Sequence, residues 1–200
     1  MGASERDELL RAAWRVEVSG KLEAGRLVFV DECGTNTSLS PLYGWSKLGE
    51  RLRAKAPRNR GENVTLISSI TLADGMGPSL AVEGPTTREV FELYIEKVLA
   101  PRLSAGEVVV MDNLSSHKGH RVRELIEERG CEVLHLPPYS PDLNPIEEAF
   151  SKVKDILRKA QARSRGALVE AMGRALGAVS ASDARGFFEH SGYRAMVQPF

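Results

Sequence analysis

The chain has 200 residues, of which 42% are hydrophobic and 27% are charged. These values exclude collagen-like, coiled-coil and wholly disordered proteins, and a chain of this length can bury a sizeable core without disulfide bonds. The 27 Lys and Arg residues balance the 27 Asp and Glu residues, so any nucleic-acid site must come from local clustering of basic side chains.

The first half of the chain predicts a short helix followed by strands. Residues 1–25 are expected to form a lead-in helix, over Glu8 to Val16, and a linker that precedes one domain at 26–200. Three apolar runs separated by turn residues are typical of consecutive antiparallel strands, namely 27–30, 64–72 and 79–82.

The second half alternates between helices and strands. A capping box at Thr86 to Glu89 predicts the start of a helix that ends at Pro101. A strand, a helix, a strand and a proline-rich connector are expected next, at 108–111, 121–129, 131–136 and 137–145. Three more helices are expected at about 146–160, 167–179 and 183–189. The order β-β-β-α-β-α-β-α predicts an α/β fold, in which a mixed sheet is flanked by helices and followed by extra C-terminal helices.

Targeting signals and cysteine spacing indicate the compartment. No segment approaches the roughly 18 apolar residues that span a bilayer, and the charged N-terminus lacks the pattern of a signal peptide. Cys33 and Cys131 have neither the spacing of a zinc site nor the density of a disulfide framework. We therefore expect a cytoplasmic protein in a reducing environment, without membrane partners.

Two acidic residues follow apolar strands of the predicted sheet. Asp31 and Asp112 each come directly after such a run, where open α/β sheets place ligand-binding groups. A single Asp at such a position more often serves the following turn. Two in equivalent places favour a metal site.

Helix geometry selects a third acid. If Asn144 is the N-cap of the helix and Pro145 its first residue, Glu147 lies on the flank of the apolar stripe. Glu148 then points about 200° away from Ile146, toward solvent. Glu147 also has the spacing of a simple helix-capping acid, and its local sequence leaves the two interpretations open.

The three carboxylates together predict a particular chemistry. Acids without His or Cys suit Mg²⁺, and three of them could hold two ions about 3.5 to 4 Å apart. Such ions promote in-line displacement at phosphorus, which is the chemistry of nucleases and strand transferases.

The motifs around these acids resemble a known family. Val-Asp31-Glu32, Met-Asp112-Asn113 with His117 after it, and Leu-Pro-Pro-Tyr-Ser-Pro-Asp-Leu-Asn-Pro-Ile-Glu147 resemble the catalytic core of mariner-type insertion-sequence transposases, which are DDE superfamily endonucleases with an RNase H-like fold. The 34 residues between the second and third acids match the spacing of that family. The resemblance covers roughly residues 26–195.

The resemblance implies a function and a set of partners. Asp31, Asp112 and Glu147 would be the catalytic and metal-binding residues of a transposase that uses Mg²⁺ or Mn²⁺, with two ions expected. The reaction would be cleavage at transposon ends and attack of the freed 3′-hydroxyl on target DNA, often at TA. The resemblance also implies a homodimer, and helix-turn-helix DNA-binding domains, for which the N-terminus of this sequence has no room. Three explanations stay open: the downstream half of a split reading frame with a separate DNA-binding half, a truncated copy, or an excised catalytic piece.

Two groups of basic residues are candidate DNA contacts. Five positive charges and no acid occur within residues 51–60, at Arg51, Arg53, Lys55, Arg58 and Arg60. This cluster favours contact with the DNA backbone, although a solvated loop would have a similar composition. Lys154 and Arg158 lie on the helix flank of Glu147 and are either DNA contacts or ordinary surface charges.

Several other residues have two interpretations. Asn113 and His117 are auxiliary residues by the resemblance and could orient substrate, whereas His117 taken alone would be a surface histidine. Trp45 could stack on a base, although packing against the sheet is favoured. Cys33 is expected to be a small buried packing residue, and Asp142 to serve its turn.

One alternative function comes from a different class. A non-catalytic, DNA-binding or regulatory transposase fragment would keep the fold and the basic loop. Retention of all three acids favours the enzyme.

Overall fold

The computed structural model describes residues 7–51, 53, 57, 61, 63–114, 117 and 119–194. The strands are β1 Leu27–Asn36, β2 Asn63–Thr71, β3 Gly75–Met76, β4 Leu80–Glu83, β5 Val108–Met111 and β6 Glu132–His135. The helices are α1 Glu8–Trp14, α2 Arg88–Tyr94, α3 His120–Glu127, α4 Pro145–Ala160, α5 Arg165–Gly177 and α6 Ala181–His190. Irregular turns extend or connect these elements: π-helical Arg15–Ser19 and Ile95–Leu99, and 3₁₀ Ala24–Arg26, Ala100–Arg102 and Pro141–Leu143.

The six strands form one mixed sheet in the order β3-β2-β1-β5-β6, and β4 also pairs with β2. The pairs among β1 to β4 are antiparallel, whereas β5 is parallel to both β1 and β6. The prediction of an antiparallel hairpin region followed by parallel strands is therefore confirmed. The two-residue strand β3 was not predicted, because the residues around it are typical of turns.

Helices cover both faces of the sheet, because side chains alternate along its central strands. In β1, Phe29 packs on one face with α1, α4, α5 and α6, and Val30 packs on the other with α2 and α3. In β5, Val110 and Met111 divide in the same way. This two-sided burial explains why both strands have continuous apolar runs.

The first strand is longer than its apolar run. Pairing with β2 extends β1 to Asn36, so Asp31 does not end the strand as expected but lies inside it, opposite Ser68. The parallel pairing of β1 with β5, however, stops at Val30 and Met111. Asp31 and Asp112 are thus the first residues beyond the parallel part of the sheet, which keeps them at equivalent positions.

The loop between β1 and β2 differs from expectation at its tryptophan. Trp45 is 99% exposed, so the favoured prediction that it packs against the sheet is wrong. Arg51 and Arg53 are exposed in the same loop, whereas Lys55, Arg58 and Arg60 lie outside the described residues.

The N-terminal helix α1 packs onto the sheet domain. Arg11 and Trp14 are buried, and Trp14 belongs to the same hydrophobic cluster as β1 and the C-terminal helices. Within the described ranges, no helix combines the length and the apolar character needed to cross a bilayer.

Candidate active site

A cavity of about 380 Å³ lies at the end of the parallel strands. Its wall contains all three acids selected from the sequence, Asp31 from β1, Asp112 after β5 and Glu147 from α4. Asn113, Leu114, the connector 136–141 and Asn144 complete the wall. The fold therefore brings together three carboxylates from three separate elements.

Asp31 is the most buried of the three acids, with 8% of its surface exposed. Its Oδ1 accepts a hydrogen bond from the Glu32 N–H at 2.7 Å, and its Oδ2 accepts one from Asn144 Nδ2 at 2.8 Å. Burial raises the pKa of Asp31 to about 7, the Glu32 N–H opposes this, and the nearby Asp112 and Glu147 carboxylates raise it further. The three carboxylates thus repel one another, and a cation bound among them would relieve this repulsion.

Asp112 is held by a buried histidine. His117 Nδ1 lies 2.6 Å from Asp112 Oδ1, and His117 Nε2 is hydrogen-bonded to Glu32 Oε1 at 3.2 Å. The imidazole also stacks on Phe91, with ring centroids 4.0 Å apart. Burial by itself lowers the pKa of His117, but the contacts with Asp112 and Glu32 outweigh it and raise the pKa to about 9.

The surface interpretation of His117 is therefore wrong, because only 1% of the residue is exposed. The imidazole connects the strand that carries Asp31 to the loop that carries Asp112. Asp112 Oδ1 also accepts the Leu114 N–H at 3.0 Å. Asn113 lies exposed on the cavity wall beside it.

The start of α4 orients the third acid. Asn144 occupies the N-cap position, but its side chain makes no capping hydrogen bond and is directed to Asp31 instead. Glu147, the third residue of the helix, is exposed on the cavity wall. Glu148 is directed elsewhere and pairs with His190 of α6. The helical register thus separates the two adjacent acids as the periodicity predicts.

The proline-rich connector shapes the cavity between β6 and α4. The Leu136 N–H bonds the Met111 carbonyl at 2.9 Å, and His135 Nδ1 lies 3.1 Å from the Asp112 carbonyl. Tyr139 is 58% exposed and has a φ of 50°, a left-handed conformation that is costly for an aromatic residue. The connector therefore places an exposed aromatic ring on the cavity wall, at a residue whose backbone is strained.

The basic residues have different surroundings. Lys154 lies beside the Cys33 thiol; burial raises the pKa of that thiol and Lys154 opposes the shift. Cys33 is 1% exposed, as expected for a packing residue. Arg158 is paired with Asp155 at 2.5 Å, and Lys152 is paired with Asp183 at 2.7 Å. Glu147 and Asp31 also act on the Cys33 thiol, so Lys154 is a basic residue of α4 that lies near the carboxylates.

The donor set fits a hard divalent cation. Asp31, Asp112 and Glu147 supply only oxygen atoms, and their mutual repulsion contributes to the raised pKa of Asp31. In the part of the chain that the structure describes, no three acidic, His or Cys side chains already converge as a finished ligand set. Glu147 is exposed, and its backbone position is fixed by α4.

Sequence reasoning missed two residues of the site, Asn144 as a partner of Asp31 and Glu32 as a partner of His117. Asn144 was interpreted as a helix cap, and its position in the quoted motif is the signal that would have pointed to it. Glu32 is adjacent to Asp31, but only the fold shows that it reaches His117. Asp142 is also different from expectation, because it pairs with Arg11 rather than serving only its turn.

Comparison with known proteins identifies relatives of this chain. The profile of the DDE superfamily endonuclease family matches residues 26–169. The Tc1 transposase of Caenorhabditis elegans is 24% identical over 163 residues, covering 76% of this chain and 59% of that protein. The Tcb2 transposase of Caenorhabditis briggsae is 26% identical over 171 residues, covering 80% and 62%. The chain thus spans about three fifths of the length of these curated relatives.

Solved structures show the same fold. A Mos1 transposase paired-end complex with left transposon end has a TM-score of 0.73 at 18% identity, covering 94% of this chain and 58% of that one. The Mos1 transposase catalytic domain, solved with raltegravir and Mg, has a TM-score of 0.65 at 17% identity, covering 94% and 89%. The shared architecture is the RNase H-like fold that the motifs imply. With its family profile matched from β1 into α5, this chain belongs to the DDE superfamily endonucleases.

Proposed function

We propose that this chain is the catalytic core of a transposase that cleaves DNA at transposon ends and transfers the freed 3′-hydroxyl to target DNA. The observation that carries the proposal is the single cavity whose wall contains Asp31, Asp112 and Glu147. Family membership and the transposase relatives support the same assignment. Relatives in the solved structures are paired transposon-end complexes with Mg or Mn, which supports the use of either metal here.

The three carboxylates would hold two divalent ions. Bound at this place, the ions would activate the attacking oxygen and stabilise the leaving oxygen of an in-line displacement at phosphorus. Asn144 and the Glu32 N–H fix the Asp31 carboxylate, and His117 with the Leu114 N–H fixes Oδ1 of Asp112. Glu147 closes the set from the start of α4. Metal sites require hydrogen-bond donors that hold the ligands in place, and these groups would have that role here.

Two groups of basic residues would contact the DNA backbone. Arg51 and Arg53 are exposed in the β1–β2 loop, and Lys154 lies on the side of α4 that carries Glu147. Lys55, Arg58, Arg60 and Arg158 complete the proposed DNA-binding set, with Arg158 held by Asp155 until DNA competes for it. Each phosphate contact should lower the slope of log affinity against log salt by about 0.9. Replacing Arg51 and Arg53 with Ala should therefore flatten the measured salt dependence of DNA binding.

The paired-end complexes among the related structures support a second copy of this chain as a further partner. We propose a homodimer that brings two DNA ends together, with helix-turn-helix segments supplied separately for recognition of those ends and TA as the target. Sedimentation analysis with and without end DNA would measure the stoichiometry. A monomeric protein on paired ends would contradict the dimer.

Cleavage of supercoiled plasmid DNA tests the reaction. The purified chain should nick plasmid in the presence of Mg²⁺ or Mn²⁺, and the activity should fall to background in Asp112→Asn and Glu147→Gln. Glu148→Gln is the matched control, because Glu148 pairs with His190 outside the cavity wall and should keep most of the activity. Activity lost in Glu148→Gln but kept in Glu147→Gln would overturn the assignment of the third acid.

A folded, DNA-binding protein that does not nick would require one more test. Addition of a helix-turn-helix segment in trans should then restore cleavage to the catalytic core. Continued inactivity would favour the non-catalytic regulatory fragment.

A further inference from the structure

The N-terminal helix α1 contacts the segment that carries the third carboxylate. Arg11 is completely buried, and its guanidinium donates two hydrogen bonds to Asp142, from Nη1 to Oδ1 at 2.9 Å and from Nη2 to Oδ2 at 2.6 Å. Asp142 lies in the 3₁₀ turn that leads directly into α4. A bidentate pair of this kind fixes the direction as well as the distance between its partners.

A second contact from the same helix reaches the next residue. Trp14 Nε1 donates a hydrogen bond to Tyr193 Oη at 2.8 Å, and Tyr193 Oη donates one to the Leu143 carbonyl at 2.7 Å. Trp14 and Tyr193 are both buried. Consecutive residues, Asp142 and Leu143, are therefore held from α1 through two independent routes.

The residues held in this way adjoin the carboxylate cavity. Asn144 follows Leu143 and donates its amide hydrogen bond to Asp31 Oδ2. Pro145 then starts α4, and its fixed φ limits rotation between the 3₁₀ turn and the helix that carries Glu147. A displacement of the 3₁₀ turn would therefore move both Asn144 and Glu147 relative to Asp31.

We propose that Arg11 and Trp14 are positioning residues for the carboxylate site, through which α1 sets the place of Asn144 and Glu147. The inference deepens the proposed function and rests on it. Arg11 is buried, whereas Asp142 is about half exposed. A partly exposed ion pair contributes little to stability, so the value of this pair lies in fixing one arrangement. Helix α1 then determines the positions of two residues of the cavity wall, although none of its own residues lines the cavity.

The test compares Arg11→Met, Asp142→Leu and the double variant with wild type. The first readout is amide hydrogen exchange of Leu143, Asn144 and Glu147, whose N–H groups are bonded within this segment. The second is the affinity for Mn²⁺, measured from the resonance signal of the free ion. Arg11→Met should accelerate exchange at the three amides and weaken Mn²⁺ binding by about tenfold, as is typical for loss of a residue that supports metal ligands.

Two further variants keep the test specific. Lys21→Met removes an exposed ion pair with Glu17 in the same N-terminal segment and should change neither readout.

Trp14→Phe retains a ring and removes only the N–H donor, so it remains informative if Arg11→Met does not fold. It should accelerate exchange at Leu143 in particular. Arg11 also contacts Glu8, and Asp142 also contacts Arg15, both at 3.5 Å. Because the main interaction is shared, the shift in the double variant should be smaller than the sum of the two single shifts.

The outcomes separate the inference from the proposed function. Wild-type exchange and wild-type Mn²⁺ affinity in folded Arg11→Met and Trp14→Phe would overturn the positioning role. If the wild-type protein failed to cleave DNA, the proposed function would be in question, but the exchange measurement needs neither metal nor DNA and would still decide the role of α1.

Discussion

Two acids of the carboxylate cavity are fixed by buried partner side chains, whereas the loop between β1 and β2 exposes large apolar side chains. Asp31 is held by Asn144, and Asp112 by His117, in both cases through buried partners. In the loop, Tyr43 and Trp45 are both more than nine-tenths exposed. The comparison shows that one strand, β1, leads from a region of buried polar contacts into a loop with exposed aromatic side chains.

The largest effect is expected at the buried amide. Asn144→Asp would replace the donor to Asp31 by a second carboxylate at the same place, so the unfolding free energy of the metal-free protein should fall by roughly 3 kcal/mol. Mg²⁺ should restore part of the loss. Urea unfolding with EDTA or with Mg²⁺ measures both effects. Asn113→Asp adds the same charge at an exposed position on the cavity wall, and equal losses in the two variants would show that Asn144 is not specially placed.

A smaller effect of opposite sign is expected at Tyr139. Its left-handed backbone is costly for an aromatic residue, and its side chain is largely exposed. Tyr139→Gly should raise the unfolding free energy by roughly 0.5 to 1 kcal/mol, because glycine adopts this conformation without strain. Tyr43→Gly, at an exposed position without a left-handed φ, should not stabilise the protein. A loss of stability in Tyr139→Gly would show that the ring makes contacts that outweigh the strain.

The exposed loop should tolerate substitution without loss of stability. Trp45→Ser is expected to change the unfolding free energy by less than about 0.5 kcal/mol. The chain has two tryptophans, of which Trp14 is buried and Trp45 exposed. Acrylamide should therefore quench one part of the wild-type fluorescence strongly and the other part weakly. In Trp45→Ser, only the weakly quenched part should remain. Strong protection of Trp45 in the wild type would mean that the loop is covered in solution.

The smallest effect concerns the acid beside the catalytic candidate. The hydrogen bond to Glu148 raises the pKa of the exposed His190. Because the folded-state pKa is raised, this contact favours the folded state below about pH 6.5 and loses its effect as the pH rises through the higher value. An NMR titration should show the His190 pKa return toward its ordinary value in Glu148→Gln and stay raised in Glu147→Gln. The reverse result would place Glu147 beside α6.

Local patterns predicted most of the sheet and of the helical register. Val108–Met111 was predicted with its observed bounds, because a strand buried on both faces has an uninterrupted apolar run. The separation of Glu147 from Glu148 follows from helical periodicity alone. The second half of β1 was not predictable in this way, since its polar residues form a strand only through pairing with β2.

The support around the acids was the least predictable part of the site. His117 is 85 positions from Glu32, and Arg11 is 131 positions from Asp142, so no local pattern joins them. Each polar side chain also has an ordinary local explanation, as a surface histidine or a turn aspartate. Only the fold shows that Arg11 and His117 are buried against these partners.

The contacts that hold the turn before α4 also determine when this turn can be fixed during synthesis of the chain. The turn before α4 is held by Arg11, made 131 positions before Asp142, and by Tyr193, made 50 positions after Leu143. Contacts of such long range form late in folding. A nascent chain in which Tyr193 is still inside the ribosome therefore lacks the hydrogen bond to Leu143. By the proposed role of α1, the carboxylate site is completed only after α6 has been synthesised.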